Sequence, residues 1–368
     1  MLKQIDIKNF KALKELQLSL GSLNLLAGIN GMGKSSLIQT LLLLKQSGQL
    51  PQGILDLNNP EFAVLGKGRD VFYQFAEEEV ITIKIQNESG FTRYWNFNYH
   101  PDREYLTTGE QYQHDALSRA FNLFSDNFQY LNAERIGPRQ SYQSSSTYIE
   151  KLRQIGSKGE FAVHYLNAFG SSERIQSDSL HHPNARSRSL IHEVDAWLGE
   201  ISPGTQLNTT AVPGTEMVLM DIRFETNIDY TNRFRPVNVG FGISFVLPVI
   251  LALLMAKPDR LIIIENPEAH LHPRGQAEMG RLMALAAAAG AQIMAETHSD
   301  HILNGVRVAV KNQLISKTDT RIFFFDRRNA ETEQYAFVTP IKIDDRGELS
   351  EYPPNFMDEW SNQLFKLI

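Results

Sequence analysis

The residues Gly28-Ile29-Asn30-Gly31-Met32-Gly33-Lys34-Ser35 fit the pattern G-x-x-x-x-G-K-[ST]. Glycines at that spacing let successive backbone N–H groups curl around phosphate oxygens, and a helix opening at the end of the loop adds its dipole. The pattern assigns Lys34 to the β- and γ-phosphates of ATP and Ser35 to a Mg²⁺ ion, with Asn30, Gly31, Gly33 and Ser36 completing the phosphate-binding set. A second run, Leu261-Ile262-Ile263-Ile264-Glu265-Asn266-Pro267-Glu268, has the composition of a buried strand that ends in acids. Carboxylates at such an end, Glu265 and Glu268, can hold a metal ion or accept a proton from water. Two further features carry possible chemistry. Glu296-Thr297-His298-Ser299 follows the next apolar strand, although a single histidine at a strand end is more often structural. Asn238-Val239-Gly240-Phe241-Gly242-Ile243-Ser244 sets Gly240, Gly242 and Ser244 at a helix start, either as a second anion site or as an ordinary cap.

The elements that must hold these residues can be read from hydrophobic period. LKQIDIK (2–8) and LQLSLGSLNLLA (16–27) have strand character, and the second leads into the glycine loop, after which SSLIQTLLLLK repeats as a helix. DVFYQF, VITIKIQ and RYWNFNY predict an antiparallel sheet, and a helix is expected near 114–124. Residues 140–203 turn polar and Ser-rich around two helix patterns, GEFAVHYLNAFG and SLIHEVDAWLGEI, and suggest an inserted lid. Strand MVLMDIRFET, helix FVLPVILALLMA, strand RLIII, a helix over 274–289 and strand AQIMAE then alternate as an α/β core with a largely parallel sheet. The expected division is a head of 1–139 and 204–308, a helical lid of 140–203, and a small C-terminal domain of 309–368 that looks like an appendix to the core.

Bulk composition narrows the function classes. With 36 Lys and Arg against 42 Asp and Glu, the net charge of −6 gives no global attraction to nucleic acid or anionic membrane, so DNA binding would need a local patch. Candidates for one are Arg135, Arg139, Lys151, Arg153, Lys158, Arg186 and Arg188. Arg135 and Arg139, around the turn of YLNAERIGPR, could equally bind phosphate or pair with acids. Zero cysteines exclude a disulfide framework, a thiolate zinc site and cysteine catalysis. His270, His272, His298 and His301 lie in different motifs and lack transition-metal spacing. No apolar run reaches membrane-spanning length and no signal peptide opens the chain, so a cytoplasmic location without membrane contact is expected. Nor are there sustained heptads for a coiled-coil arm.

NFKALKELQLSLGSLNLLAGINGMGKSS, IIIENPEAHLHPRGQ and AETHSDHILNGVRVAVKN together resemble the ABC-type P-loop ATPases of the branch that includes SMC heads, RecF-type repair proteins and OLD ATPases. Within it, the chain is similar to a short bacterial group ending in a small domain of unknown function, matched here by GELSEYPPNFMDE. The resemblance implies an α/β head with a mixed central sheet, an antiparallel β subdomain and an inserted helical lid. It makes Glu265 the magnesium-holding acid, His298 the γ-phosphate contact, Gly240, Gly242 and Ser244 the signature that serves the opposite subunit's nucleotide, and Gln74 a candidate sensor of Mg²⁺ and water. Gln74 could equally be a polar residue of a buried strand. The chain departs from the family's hydrophobic-Asp-Glu-Pro pattern: Glu265 stands where Asp is usual and Asn266 where the catalytic Glu is usual. An amide cannot accept a proton, so Glu268 or a residue outside the motif is the base, or hydrolysis is slow and nucleotide binding is the signal. A homodimer or higher homo-oligomer follows from the resemblance, as does a role in anti-phage defence. The segment after His298 has no Glu plus Asp-x-Asp nuclease set, and Asp344-Asp345 lies in a glycine turn, so a separate effector nuclease or toxin is implied. The alternatives are a RecF-like DNA-binding repair ATPase and a non-hydrolysing, nucleotide-bound scaffold.

Overall fold

The computed structural model describes residues 1–48, 53–109, 117, 119–329, 332–357 and 359–367. In chain order the main elements are β1 (Leu2–Phe10), β2 (Leu13–Ser19), β3 (Leu23–Ala27), α1 (Lys34–Ser47), β4 (Ile54–Asp56), β5 (Val80–Asn87), β6 (Thr92–Asn98), β7 (Tyr105–Thr107) and β8 (Phe128–Leu131). They continue with β9 (Tyr142–Gln143), α2 (Ala162–Phe169), α3 (Leu190–Ile201), β10 (Thr205–Ala211), β11 (Met217–Phe224), α4 (Phe241–Leu254) and β12 (Leu261–Glu265). The chain ends with α5 (Pro273–Ala288), β13 (Gln292–Glu296), α6 (Asp300–Lys311), β14 (Thr320–Asn329), β15 (Gln334–Ile341) and α7 (Glu359–Leu367). The residues fall into two compact units, one of Met1–Phe128, Thr318–Ile343 and Leu349–Ile368, the other of Gln129–Lys317 and Asp344–Glu348.

The first unit holds an antiparallel sheet in the order β2–β1–β5–β6–β7–β4. Its register pairs Ile5 with Leu18 and Ile85, and Ile7 with Leu16 and Ile83, so strand alternation stacks these side chains on one buried face. The five residues of β3 are all buried, as the unbroken apolar run requires. They pair in parallel with Thr320–Phe324 of β14, which pairs antiparallel with β15. Residues 320–341, expected to be an appendix, are therefore core strands of this unit. Parallel pairing joins segments from opposite ends of the chain, a separation that local period cannot detect.

The predicted strand DVFYQF also differs. Gly68–Val71 makes one helical turn, Phe72 forms an isolated bridge to Phe10, and Gln74 lies in an exposed turn. Of the helix expected near 114–124, residues 114–116 and 118 lie outside the described residues, residues 117, 119 and 120 are helical, and Asn122–Phe124 form a single 3₁₀ turn.

In the second unit β12 and β13 run parallel, with Glu265 opposite Glu296, and β8 lies beside β12. A separate antiparallel sheet runs β9–β11–β10. Residues 140–203 belong to this unit, and α2 and α3 bury Tyr165, Leu166, Val194, Trp197 and Leu198. Helices α5 and α6 meet backbone to backbone: a Cβ on Gly280 would lie 2.3 Å from the Ile302 carbonyl oxygen. That close approach fixes the helix that Ser299 caps, and with it the turn that carries His298.

Candidate functional site

Within the first unit, β3 ends at Ala27 and α1 begins at Lys34, so the glycine loop joins a buried strand to a helix. Gly28 has φ 135° and a Cβ there would sit 2.3 Å from the Phe325 carbonyl oxygen. Gly33, the residue before α1, has φ 100° and would bring a Cβ to 2.9 Å from Ala336 Cβ. Both positions require glycine on backbone and space alike. Lys34 is 2% exposed, and its Nζ donates to the Gly28 and Ile29 carbonyl oxygens at 2.8 and 2.9 Å, which places the ammonium at the centre of the loop. Asn30, Gly31 and Ser35 lie on the exposed side of the loop and Ser36 beneath it. The backbone thus turns around one buried cation, the arrangement a phosphate requires. Gln74, in the same unit, makes no described hydrogen bond to the loop. Arg327 on β14 was not singled out in the sequence; its Nη2 donates to the Gly31 carbonyl oxygen at 3.0 Å.

In the second unit the acids, the histidine and the glycine-serine helix start come together. Glu265 ends β12 with its carboxylate accepting from the Tyr130 hydroxyl at 2.9 Å and the Ala133 N–H at 3.3 Å. Burial raises its pKa, and the Tyr130 hydrogen bond, the Ala133 hydrogen bond and Arg135 oppose that rise. Burial and the neighbouring Glu265 push the Tyr130 phenol up as well, so it stays a donor. A half-buried acid held by two donors is suited to a divalent ion, whose charge favours the ionised form. Glu268 accepts from the Thr297 hydroxyl at 2.9 Å and from the His298 N–H at 2.7 Å, joining the turn after β12 to the turn after β13. The His298 side chain is exposed.

Asn266 has φ 46°, and its N–H donates to the Glu296 carbonyl oxygen at 2.8 Å. Arg135, 4% exposed, clamps this turn through four carbonyls: Glu265 and Asn266 at 2.6 Å each, Asn132 at 3.1 Å and Phe245 at 3.2 Å. Burial brings its pKa down to about 10, against the pull of Glu268 and Glu265. It is therefore a structural cation and not part of a DNA-facing surface. Gly240 precedes α4 in open space, while a Cβ on Gly242 would approach the His270 carbonyl oxygen to 2.9 Å. Ser244 is buried beside the Tyr142 hydroxyl. Tyr130 and Thr297 were not assigned as site residues from sequence, and Arg135, named there as a DNA or phosphate contact, instead grips backbone carbonyls. All three lie in or beside the motifs, but only the folded turns reveal which atoms they hold.

Among the described residues no three His, Cys, Asp or Glu side chains cluster as a metal site, and no helix is long and apolar enough to cross a membrane. Residues 23–304 match the family described as "AAA domain, putative AbiEii toxin, Type IV TA system", and residues 315–367 match one described as a protein of unknown function (DUF3696). No curated protein matches the chain. Solved structures similar to it include the SMC head domain from Thermotoga maritima, at 10% identity and a TM-score of 0.47, covering 93% of this chain and 99% of that one. Another is the Smc head domain with an extended coiled coil bound to the C-terminal domain of ScpA, derived from Pyrococcus furiosus, also at 10% identity and 0.47, covering 100% of this chain and 99% of that one.

Proposed function

The chain belongs to the AbiEii-type AAA domain family of P-loop ATPases, and from that premise we propose that it binds ATP with Mg²⁺, hydrolyses it slowly, and works as a dimerising switch or scaffold for a separate effector in defence against phage. The observation that carries the nucleotide chemistry is the buried Lys34 ammonium enclosed by the Gly28–Ser35 backbone. Lys34 and the loop N–H groups would hold the phosphates; toward the ion, the first unit offers the Ser35 hydroxyl and the second unit the Glu265 carboxylate. When bound, Mg²⁺ would supply charge neutralisation for the phosphate oxygens.

Glu268 and His298 are assigned to the hydrolytic step. Glu268 accepts the proton of water, and its hydrogen bond to the His298 N–H keeps the turn that presents the histidine to the γ-phosphate. Asn266 gives the slow rate: an amide stands where an acid would serve, and its left-handed turn is locked through the carbonyl that Arg135 grips. The same observation supports a second reading, a scaffold that binds ATP without turning it over. Gly240, Gly242 and Ser244 are assigned to the nucleotide held by the opposite subunit.

Phosphate release and ATP binding measured on the wild type and on Lys34→Ala test the proposal. Expected are Mg²⁺-dependent binding and a slow release that Lys34→Ala reduces by at least about a hundredfold, the scale of losing one preorganised charge in a site of this kind. Binding without any release points to the scaffold, and no binding by the wild type refutes both readings.

A further inference from the structure

The second unit contains a cleft of about 430 Å³ that takes no part in the nucleotide chemistry proposed above. Its charged lining residues are Arg153, Arg174, Lys257 and Arg260, with Glu173 as the one carboxylate. In a chain whose net charge is −6, that local excess of cations is unusual. Glu173 is already committed. It forms an ion pair with Arg153 and accepts the Tyr165 hydroxyl at 2.9 and 3.1 Å through its two oxygens.

Arg260 is the one of the four that is fully buried. It is 2% exposed, its Nη2 donates to the Arg153 carbonyl oxygen at 3.0 Å, and its Nε has no hydrogen-bond partner among the described residues. A buried guanidinium with an unused donor is unfavourable unless an anion faces it. Burial and then Arg153 draw its proton affinity down, and burial, Arg260 and Arg153 do the same to Lys257.

The backbone is strained at the same place. Arg153 has φ 54°, outside the range side chains favour, directly after the helical turn Thr147–Leu152. Its guanidinium lies over the Phe169 ring, 4.4 Å from the centroid, and pairs with the cleft-lining Glu173. Leu180, Ile175 and Leu254 add an apolar wall. Fixed planar guanidinium groups match phosphate oxygens in pairs, and the volume exceeds what a bare anion fills but falls within the range of small-ligand pockets.

We propose that this cleft binds a small organic phosphate of about mononucleotide size, with its phosphate on Arg260, Lys257 and Arg174 and its apolar or flat body on the leucine and isoleucine wall. The site is independent of the glycine loop, since all its lining residues belong to the second unit.

Calorimetric titration of full-length Lys34→Ala protein with adenosine 5′-monophosphate, and separately with inorganic phosphate, tests the assignment with the glycine loop silenced. One saturable site for the nucleotide is expected, at least about tenfold tighter than for inorganic phosphate, and weakened about tenfold or more by either Lys257→Ala or Arg174→Ala. Those two residues are exposed, so their variants keep the fold even if Arg260→Met does not. Absence of binding for both probes overturns the proposal, as does binding indifferent to Lys257→Ala and Arg174→Ala. Inorganic phosphate bound as tightly as the nucleotide overturns the organic-phosphate assignment.

Discussion

At the residue scale the informative contrast is between Glu265 and Glu268, which the sequence presents as two similar acids around one turn. Glu265 is held by a phenol and a backbone N–H under a burial that raises its pKa, whereas Glu268 spans two turns with a hydroxyl and a backbone N–H. The types and positions of both were legible because an apolar strand ending in acids is a local pattern. Tyr130 was not, since its pairing with Glu265 depends on the adjacency of β8 and β12, which no local period encodes. Tyr130→Phe removes a donor that favours the ionised carboxylate, so the pKa of Glu265 should rise further. If turnover needs Glu265 ionised, activity climbs with pH through that pKa, and the variant's acid limb moves to higher pH. The half-saturating Mg²⁺ should also increase by roughly ten- to a hundredfold, as for other residues that orient a metal ligand. Phosphate release measured across pH and Mg²⁺ checks both shifts; an unmoved acid limb with unmoved Mg²⁺ dependence would make the Tyr130 bond purely structural.

At the element scale, β14 and β15 deserve a functional interpretation because they wall the glycine loop within the first unit. The Phe325 carbonyl sets the space at Gly28, Ala336 sets it at Gly33, and Arg327 holds the Gly31 carbonyl. The sequence made the loop itself fully readable, from the glycines through Lys34, because strand, loop and helix are contiguous. It gave no sign that residues 320–341 would press against it, since the contact is made by strand pairing across the chain. The matched segment of unknown function therefore contributes to the geometry of the phosphate loop. Arg327 is exposed, so its loss should barely alter folding stability, while the loop it restrains gains freedom. Arg327→Ala is expected to raise the ATP concentration for half-maximal release by roughly three- to tenfold, the worth of one charge-assisted hydrogen bond discounted for solvent. The thermal midpoint should stay within a few degrees. An unchanged ATP dependence would leave Arg327 as a surface side chain with no part in positioning the loop.

For the whole molecule, charge and nucleotide make opposite demands on assembly. Each chain carries −6, and bound Mg²⁺–ATP adds further negative charge, so two ATP-loaded subunits repel at long range and salt should weaken that repulsion. In the proposed switch, a dimer closing over nucleotide would have to gain its stability from contacts made only in the loaded state, and hydrolysis would reopen it. Glu268→Gln is the variant that separates these steps. The Gln carbonyl oxygen can still accept the His298 N–H and its amide can donate to the Thr297 hydroxyl, so the turn survives while the proton acceptor is lost. With ATP and Mg²⁺ the variant should shift from the 41.7 kDa chain to about twice that mass in light scattering, and remain there while phosphate release falls by at least about a hundredfold. Raising ionic strength should leave that assembly unchanged or strengthen it. A repair ATPase bound to duplex DNA responds the other way, because counterion release makes DNA binding weaken as salt rises. Mass that stays at one chain with ATP in both wild type and variant removes the switch and leaves an ATP-binding protein whose partner must be found in another chain.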